Sequence, residues 1–197
     1  IKVANMKKFT VHTDQITDFP HYWELCVGSC HGYTALREDY RQQLRKVREE
    51  LGFRYVRFHG IFDDDMCVCT ASSMDPGMPA DIRYNFFNIE NIFDFLLSIG
   101  MKPFTEIGFM PSCLASGDTT CFHYKGNVTP PKDYDQWNDF IRAFTEHCID
   151  RYGLEEVRQW FFEVWNEPNL PFFFDGTMEQ YFELYENTAR TTKAVSR

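Results

Sequence analysis

The 197 residues are 44% hydrophobic and 17% aromatic, enough for one domain with a sizeable core, and they carry a net charge of −9 with a pI near 5.1. That balance excludes nucleic acid and anionic membranes as partners, because their phosphates recruit Lys and Arg. No apolar run approaches the length that crosses a bilayer and no secretory leader pattern opens the chain, so the expectation is a cytoplasmic protein, with secretion after removal of a leader as the alternative.

Residues 1–20 are polar and mixed, and Pro20 ends them. A first strand is expected over 23–28, followed by a loop over 29–34. Leu36, Tyr40, Leu44, Val47 and Leu51 recur at spacings of three and four and predict a helix over 36–51, with Gly52 as its cap. The stretch 54–60, rich in β-branched and aromatic residues, predicts the second strand. Its period of two puts Tyr55, Arg57 and His59 on one side and Val56 and Phe58 on the other. An Arg and a His at the end of a buried strand need partners, and an active site offers them.

A long loop follows over 61–84, with Asp63, Asp64 and Asp65 and then Pro76, Gly77 and Pro79. Loops of this length are functional or hold short elements of their own. The three aspartates lack the Gly and Glu positions of a calcium loop, so they read as a solvated acidic run. The second helix is expected over 88–99, and the third strand over 102–107, where Glu106 is a second inward carboxylate candidate. Phe109, Met110 and Pro111 close that strand, and another long loop over 112–131 carries His123, Tyr124 and Lys125. Tyr134, Trp137, Phe140, Ile141, Phe144, Cys148, Ile149 and Tyr152 form one stripe and predict the third helix over 134–152.

The fourth strand is the run 160–165, which is short, aromatic and passes straight into Asn166, Glu167 and Pro168. Such a run reads as a strand buried on both faces, and Pro168 cannot continue the ladder. Glu167 therefore stands at the carboxyl end of a parallel strand, where α/β barrels place their chemistry. Framed by Trp165 and Pro168, its carboxyl is expected to be partly desolvated and to hold a proton near neutral pH. Asn166 can hydrogen-bond a substrate hydroxyl beside it. Phe172, Phe173 and Phe174 then form either a packed plug or a sugar-stacking lip, and a last helix is expected over 178–195.

Four strand-helix units in succession give an α/β fold with parallel strands, half of a (β/α)8 barrel, with an open doubly wound sheet as the rival. The first crossover has no G-x-G-x-x-G and no Walker lysine follows strand one, which excludes the common dinucleotide and nucleotide cradles. Seven cysteines (Cys26, Cys30, Cys67, Cys69, Cys113, Cys121 and Cys148) show no paired C-x-x-C spacing. Reduced structural thiols are preferred to a metal site, with room for one surface disulfide, and no cofactor is expected.

Several stretches resemble the β-xylosidases of glycoside hydrolase family 39. They are Val27-Gly28-Ser29; the run from Glu50 through Val56-Arg57-Phe58-His59-Gly60 to Phe62; Gly100-Met101-Lys102-Pro103-Phe104; His123-Tyr124-Lys125-Gly126-Asn127; and Phe162 through Trp165-Asn166-Glu167-Pro168 to Leu170. The resemblance implies that residues 1–197 are the first four units of a TIM-barrel glycosidase domain. It implies that Glu167 is the general acid/base, that Asn166 holds the sugar 2-hydroxyl, that His59 binds substrate, and that Arg57 keeps the nucleophile ionised. Phe109 and Trp165 join the substrate-binding set. The nucleophile of that family is a second Glu after strand seven, and these residues do not include a strand seven. Retention needs two carboxyl groups about 5–5.5 Å apart, so the expected partner is a second half-barrel or a second copy, beside a small oligosaccharide or aryl glycoside substrate. The alternatives are a non-catalytic half-barrel that binds carbohydrate or serves assembly, and a small hydrolase in which Glu106 supplies the second carboxylate. Iduronidases share the family, but the acidic balance favours a neutral pentoside.

Overall fold

Short aromatic runs alternate with amphipathic stretches, and the runs align into a parallel sheet. The computed structural model describes residues 7–72 and 80–195. In chain order they form β1 (Cys26–His31), α1 (Glu38–Leu51), β2 (Tyr55–His59), β3 (Cys69–Ser72), β4 (Asp81–Tyr84), α2 (Phe87–Ser98), β5 (Lys102–Ile107), β6 (Thr120–Cys121), β7 (Gly126–Asn127), α3 (Tyr134–Tyr152), α4 (Leu154–Val157), β8 (Phe161–Val164) and α5 (Met178–Val195). β1, β2, β5 and β8 make one four-stranded sheet in that order, each neighbouring pair parallel. A doubly wound sheet would reverse its strand order at a switch point. No reversal occurs here, and the progression is that of successive barrel strands, with no closed barrel among the described residues.

The sheet has two unlike faces because its strands alternate. Val56 and Phe58 of β2 and Ile107 of β5 are buried in one core with Ile92, Phe93 and Leu96 of α2 and Phe140, Ile141 and Phe144 of α3. The other face carries Tyr55, Arg57 and His59 of β2, which are only half-buried. Phe62 makes edge-to-face contacts with the Trp137, Phe140 and Phe144 rings, so the aromatic excess fills the helix layer first.

Helix ends follow their sequence signals. Gly52 takes φ +75° and its N–H reaches the Arg48 carbonyl, as a left-handed cap should. Asp133 caps α3, its carboxylate accepting from the N–H groups of Asp135 at 2.8 Å and Gln136 at 3.2 Å.

The elements also depart from the sequence reading in instructive places. The first strand, expected over 23–28, begins at Cys26 and runs on to His31, because Tyr22–Glu24 close a 3-10 turn. The first helix begins at Glu38 rather than at 36, since Leu36 belongs to a 3-10 turn over Gly32–Leu36. Leu51, the last member of its stripe, is 48% exposed. The loop over 61–84 holds the antiparallel pair β3–β4, and the loop over 112–131 holds β6–β7. Residues 1–6 and the Pro76, Gly77 and Pro79 positions lie outside the described residues.

The aspartate run is not simply solvated. Asp63 is buried and accepts from the Phe109 N–H at 3.3 Å, Asp64 accepts from the Ser112 N–H at 3.0 Å, and Asp65 meets His31 Nε2 at 3.3 Å. The first two bonds tie the loop after β2 to the loop after β5, and the third ties it to the end of β1. Gly60, at φ +65°, makes the turn possible: a Cβ there would lie 2.0 Å from Asp63 Oδ2.

Candidate active site

The half-buried face of the sheet gathers four polar side chains from three strands. Arg57 projects from β2, Glu106 from β5 and Glu163 from β8, and Glu106 and Glu163 are register partners. Arg57 Nε and Nη2 donate to the two oxygens of Glu163 at 2.5 and 3.0 Å, a bidentate fork. Nη2 also donates to Asn166 Oδ1 at 2.9 Å and ion-pairs with Glu106 Oε2 at 2.8 Å. His59 Nδ1 reaches the same Glu106 oxygen at 2.8 Å. A carboxylate accepts, so Nδ1 carries the proton and Nε2 is the nitrogen left for other partners.

Glu106 is 1% exposed, and its Oε1 has no hydrogen-bond partner. Burial pushes its carboxyl above the usual carboxylate range, while His59 and Arg57 pull it back. Burial pushes the Arg57 guanidinium down, and the hydrogen-bonded Glu163 together with Glu106 more than restores it. Arg57 is therefore a fixed charge that holds Asn166 in place.

β8 ends in an unusual backbone. Trp165 has φ +71° and Glu167 φ +42°, flanking Asn166. Left-handed conformations at non-glycine residues cost on the order of 1–3 kcal/mol each and persist only where the surroundings enforce them. The enforcement is visible. The Trp165 N–H bonds the Ile107 carbonyl, and its Nε1 donates to the Phe173 carbonyl at 2.6 Å. Its ring packs against Phe109 and Phe174 with centroids at 5.4 and 5.6 Å. With Trp165 locked, the chain turns so that Asn166 is buried beside Arg57 and Glu167 points to solvent.

The partial desolvation expected of Glu167 is thus not what the fold provides. The Trp165 ring turns inward, Pro168 is half-buried, and the Glu167 carboxylate is exposed, with no hydrogen-bond donor paired to it among the described residues. Glu167 borders a cleft of about 390 Å³ with Phe104, Phe161, Glu163, Trp165, Tyr181 and others. Arg57 and His59 border a second cleft of about 430 Å³ with Gly28, Cys30, Phe122, His123 and Tyr124. Arg57 of the second lining and Glu163 of the first are ion-paired, which links the walls of the two clefts. Trp165 and Phe109 are 1% and 0% exposed. Trp165 edges the first cleft, while Phe109 lies behind His59, its centroid 6.2 Å from the imidazole, as a backing residue.

The three phenylalanines after the site divide their work. Phe174 is buried against Trp165 and Tyr181, a plug. Phe172 is 58% exposed and meets Phe122 edge-on at 5.7 Å, a lip. Glu163 is the site member that the sequence reading passed over. Its signal was present: it is the one charged residue in the apolar run 160–165. His31, stacked on Tyr124 at 3.9 Å beside the second cleft, gave no comparable signal.

Residues 8–197 match the model of glycosyl hydrolases family 39. The chain belongs to glycosyl hydrolase family 39. Within this family it is 59% identical over 175 residues to a β-xylosidase of Caldicellulosiruptor saccharolyticus, covering 88% of this chain and 35% of that protein. It is 48% identical over 191 residues to a β-xylosidase of Geobacillus stearothermophilus, covering 96% and 38%. Among solved structures, a monomeric β-xylosidase from Caulobacter crescentus CB15 superposes with a TM-score of 0.82 at 45% identity, covering 87% of this chain and 34% of that one. The family 39 chain thus spans little more than a third of the length of the relatives it matches.

Proposed function

We propose that these residues carry the acid/base side of a retaining β-xylosidase site. The observation that carries this reading is the pairing of Asn166, fixed by the Arg57 guanidinium, with Glu167 standing free at the carboxyl end of the same strand. One group is immobile and oriented and the next is available to exchange protons, which is what a sugar-binding amide beside a general acid requires.

In the proposed reaction Glu167 protonates the glycosidic oxygen while a carboxylate nucleophile attacks the anomeric carbon. The nucleophile is a Glu after strand seven, beyond these 197 residues. In the second half, Glu167 takes a proton from the water that releases xylose. Asn166 Oδ1 is occupied by Arg57, so its Nδ2 is free to donate to the 2-hydroxyl. His59, its Nδ1 held by Glu106, offers Nε2 to the sugar. Arg57 adds positive charge that keeps the nucleophile ionised. Trp165 and Phe109 brace this set from behind. The described part of the site places two carboxyl groups around one guanidinium, which supports a neutral pentoside over a uronate.

The reading is tested by leaving-group dependence. Residues 8–197 would be joined in register to the remaining part of the Geobacillus relative. In that protein Glu167→Gln should lower kcat/KM on xylobiose by about 100- to 10,000-fold, the range for loss of general acid catalysis. The loss should be far smaller on an activated aryl xyloside, whose phenolate leaves without a proton. Equal losses on both substrates would contradict the assignment.

A further inference from the structure

We propose that Cys69 and Cys113 are a modification site: a dithiol pair that closes to a reversible disulfide and clamps the loop after β2 to the loop after β5. Cys69 opens β3, and Cys113 lies in the loop that follows β5. Their sulfurs are 3.3 Å apart, and the Cys113 thiol also approaches the Cys69 carbonyl at 3.4 Å. A disulfide needs about 2.05 Å, so closure requires roughly 1.2 Å of approach between sulfurs that already touch.

The surroundings hold the two loops side by side. The two loops are already joined by a row of bonds: the Phe62 N–H to the Gly108 carbonyl at 3.0 Å, the Phe109 N–H to Asp63, and the Ser112 N–H to Asp64. The thiol pair continues that row. The other five cysteines have no sulfur partner of this kind among the described residues.

The pair is also chemically asymmetric. Cys113 is half-buried, and its hydrogen-bonded contact with the Cys69 sulfur lowers its pKa, with Lys132, whose Nζ bonds the Cys113 carbonyl at 2.7 Å, acting in the same direction. The same hydrogen bond, with burial, raises Cys69. Cys69 is buried and Cys113 only half-buried, so Cys113 is the sulfur that an oxidant reaches and the one that attacks. With glutathione disulfide as oxidant, the Cys113 thiolate attacks one glutathione sulfur and expels the other glutathione as a thiolate. Cys69 then attacks the Cys113 sulfur of the mixed disulfide and expels the second glutathione, giving up its proton to it. Two protein thiols are oxidised and one glutathione disulfide is reduced to two glutathiones.

The test incubates the 197-residue protein in glutathione buffers of stepped redox ratio. The remaining thiols are then alkylated under denaturing conditions, the protease-digested peptides are mapped by mass, and Tm is recorded in parallel. The expected result is a Cys69–Cys113 cross-linked peptide that accumulates as the ratio becomes oxidising and disappears with dithiothreitol. Tm should be higher by about 5–10 °C in the oxidised protein. The rise should be absent in Cys113→Ser and retained in Cys30→Ser, which removes an exposed thiol. Alkylation of both cysteines at every ratio would overturn the proposal, as would a glutathione adduct on Cys113 that never resolves to Cys69. A cross-link without a Tm rise would overturn the clamp. The peptide map is read on the unmutated protein, so it stands even where a serine variant fails to fold.

Discussion

Arg57 is the residue on which the site turns, because one guanidinium meets Glu106 of β5, Glu163 of β8 and Asn166 in the turn after β8. Asp63 is its counterpart beneath the loops: buried, bonded to the Phe109 N–H through one oxygen, and with Oδ2 unpartnered. Burial pushes Asp63 up to about 7 from 3.8. The folded protein therefore holds this proton more tightly than the unfolded chain does. Its contribution to stability is full below about 3.8 and is lost as pH rises toward 7. Asp63→Asn keeps an oxygen acceptor for Phe109 and carries no such proton. Relative to the unmutated protein, the variant should gain stability steadily between pH 4 and 7. The change approaches roughly 4 kcal/mol, at about 1.4 kcal/mol per pH unit. Urea titrations of both proteins at three pH values check this, and a difference that stays flat with pH contradicts it. The polar positions Arg57, His59, Asn166 and Glu167 were legible in the sequence as residue types at strand ends. The burial of Asp63 was not, because three consecutive aspartates look solvated until Gly60 turns one of them inward. The exposure of Glu167 was also illegible, because its neighbour Trp165 adopts a left-handed backbone that a sequence pattern does not reveal.

At the level of elements, periodicity found the helices and short apolar runs found the parallel strands, but β8, expected to be buried on both faces, is exposed at Phe161 and half-buried from Phe162 to Val164. The sequence pattern also erred where local hydrogen bonding competes with it. Trp23 and Leu25 look like strand residues, yet the Glu24 and Leu25 N–H groups bond back to His21 and Tyr22, which turns the chain before β1 begins. Strands of two to four residues, such as β3, β4, β6 and β7, are too short to leave a period in the sequence. Helix ends were better marked. Asp133 holds two otherwise unpaired N–H groups of α3, and α3 carries Trp137, Phe140, Ile141 and Phe144 into the core. Asp133→Ala should therefore cost about 1 kcal/mol of unfolding free energy, with little change in the denaturant slope, since the same core still unfolds. Chemical denaturation measures both; an unchanged midpoint would mean that water replaces the cap without cost.

For the whole molecule, the strand order β1-β2-β5-β8 places the carboxyl ends of β2, β5 and β8 side by side, and that placement assembles the Arg57 cluster from residues up to 109 positions apart in sequence. The alternation of strands and helices made this arrangement legible, and the family resemblance supplied the roles proposed for its residues. What neither reveals is how Asn166 and Glu167 divide between interior and solvent, since that depends on the Arg57–Asn166 bond and the inward turn of Trp165. Azide rescue of Glu167→Ala, in the protein joined to the Geobacillus remainder, tests the acid/base role proposed for Glu167. With an aryl β-xyloside, azide should restore turnover and yield β-xylosyl azide: without a carboxylate at 167, the anion attacks the glycosyl-enzyme from the face that water normally uses. Formation of α-xylosyl azide would place the nucleophile at 167, and absence of any rescue would remove Glu167 from the chemistry.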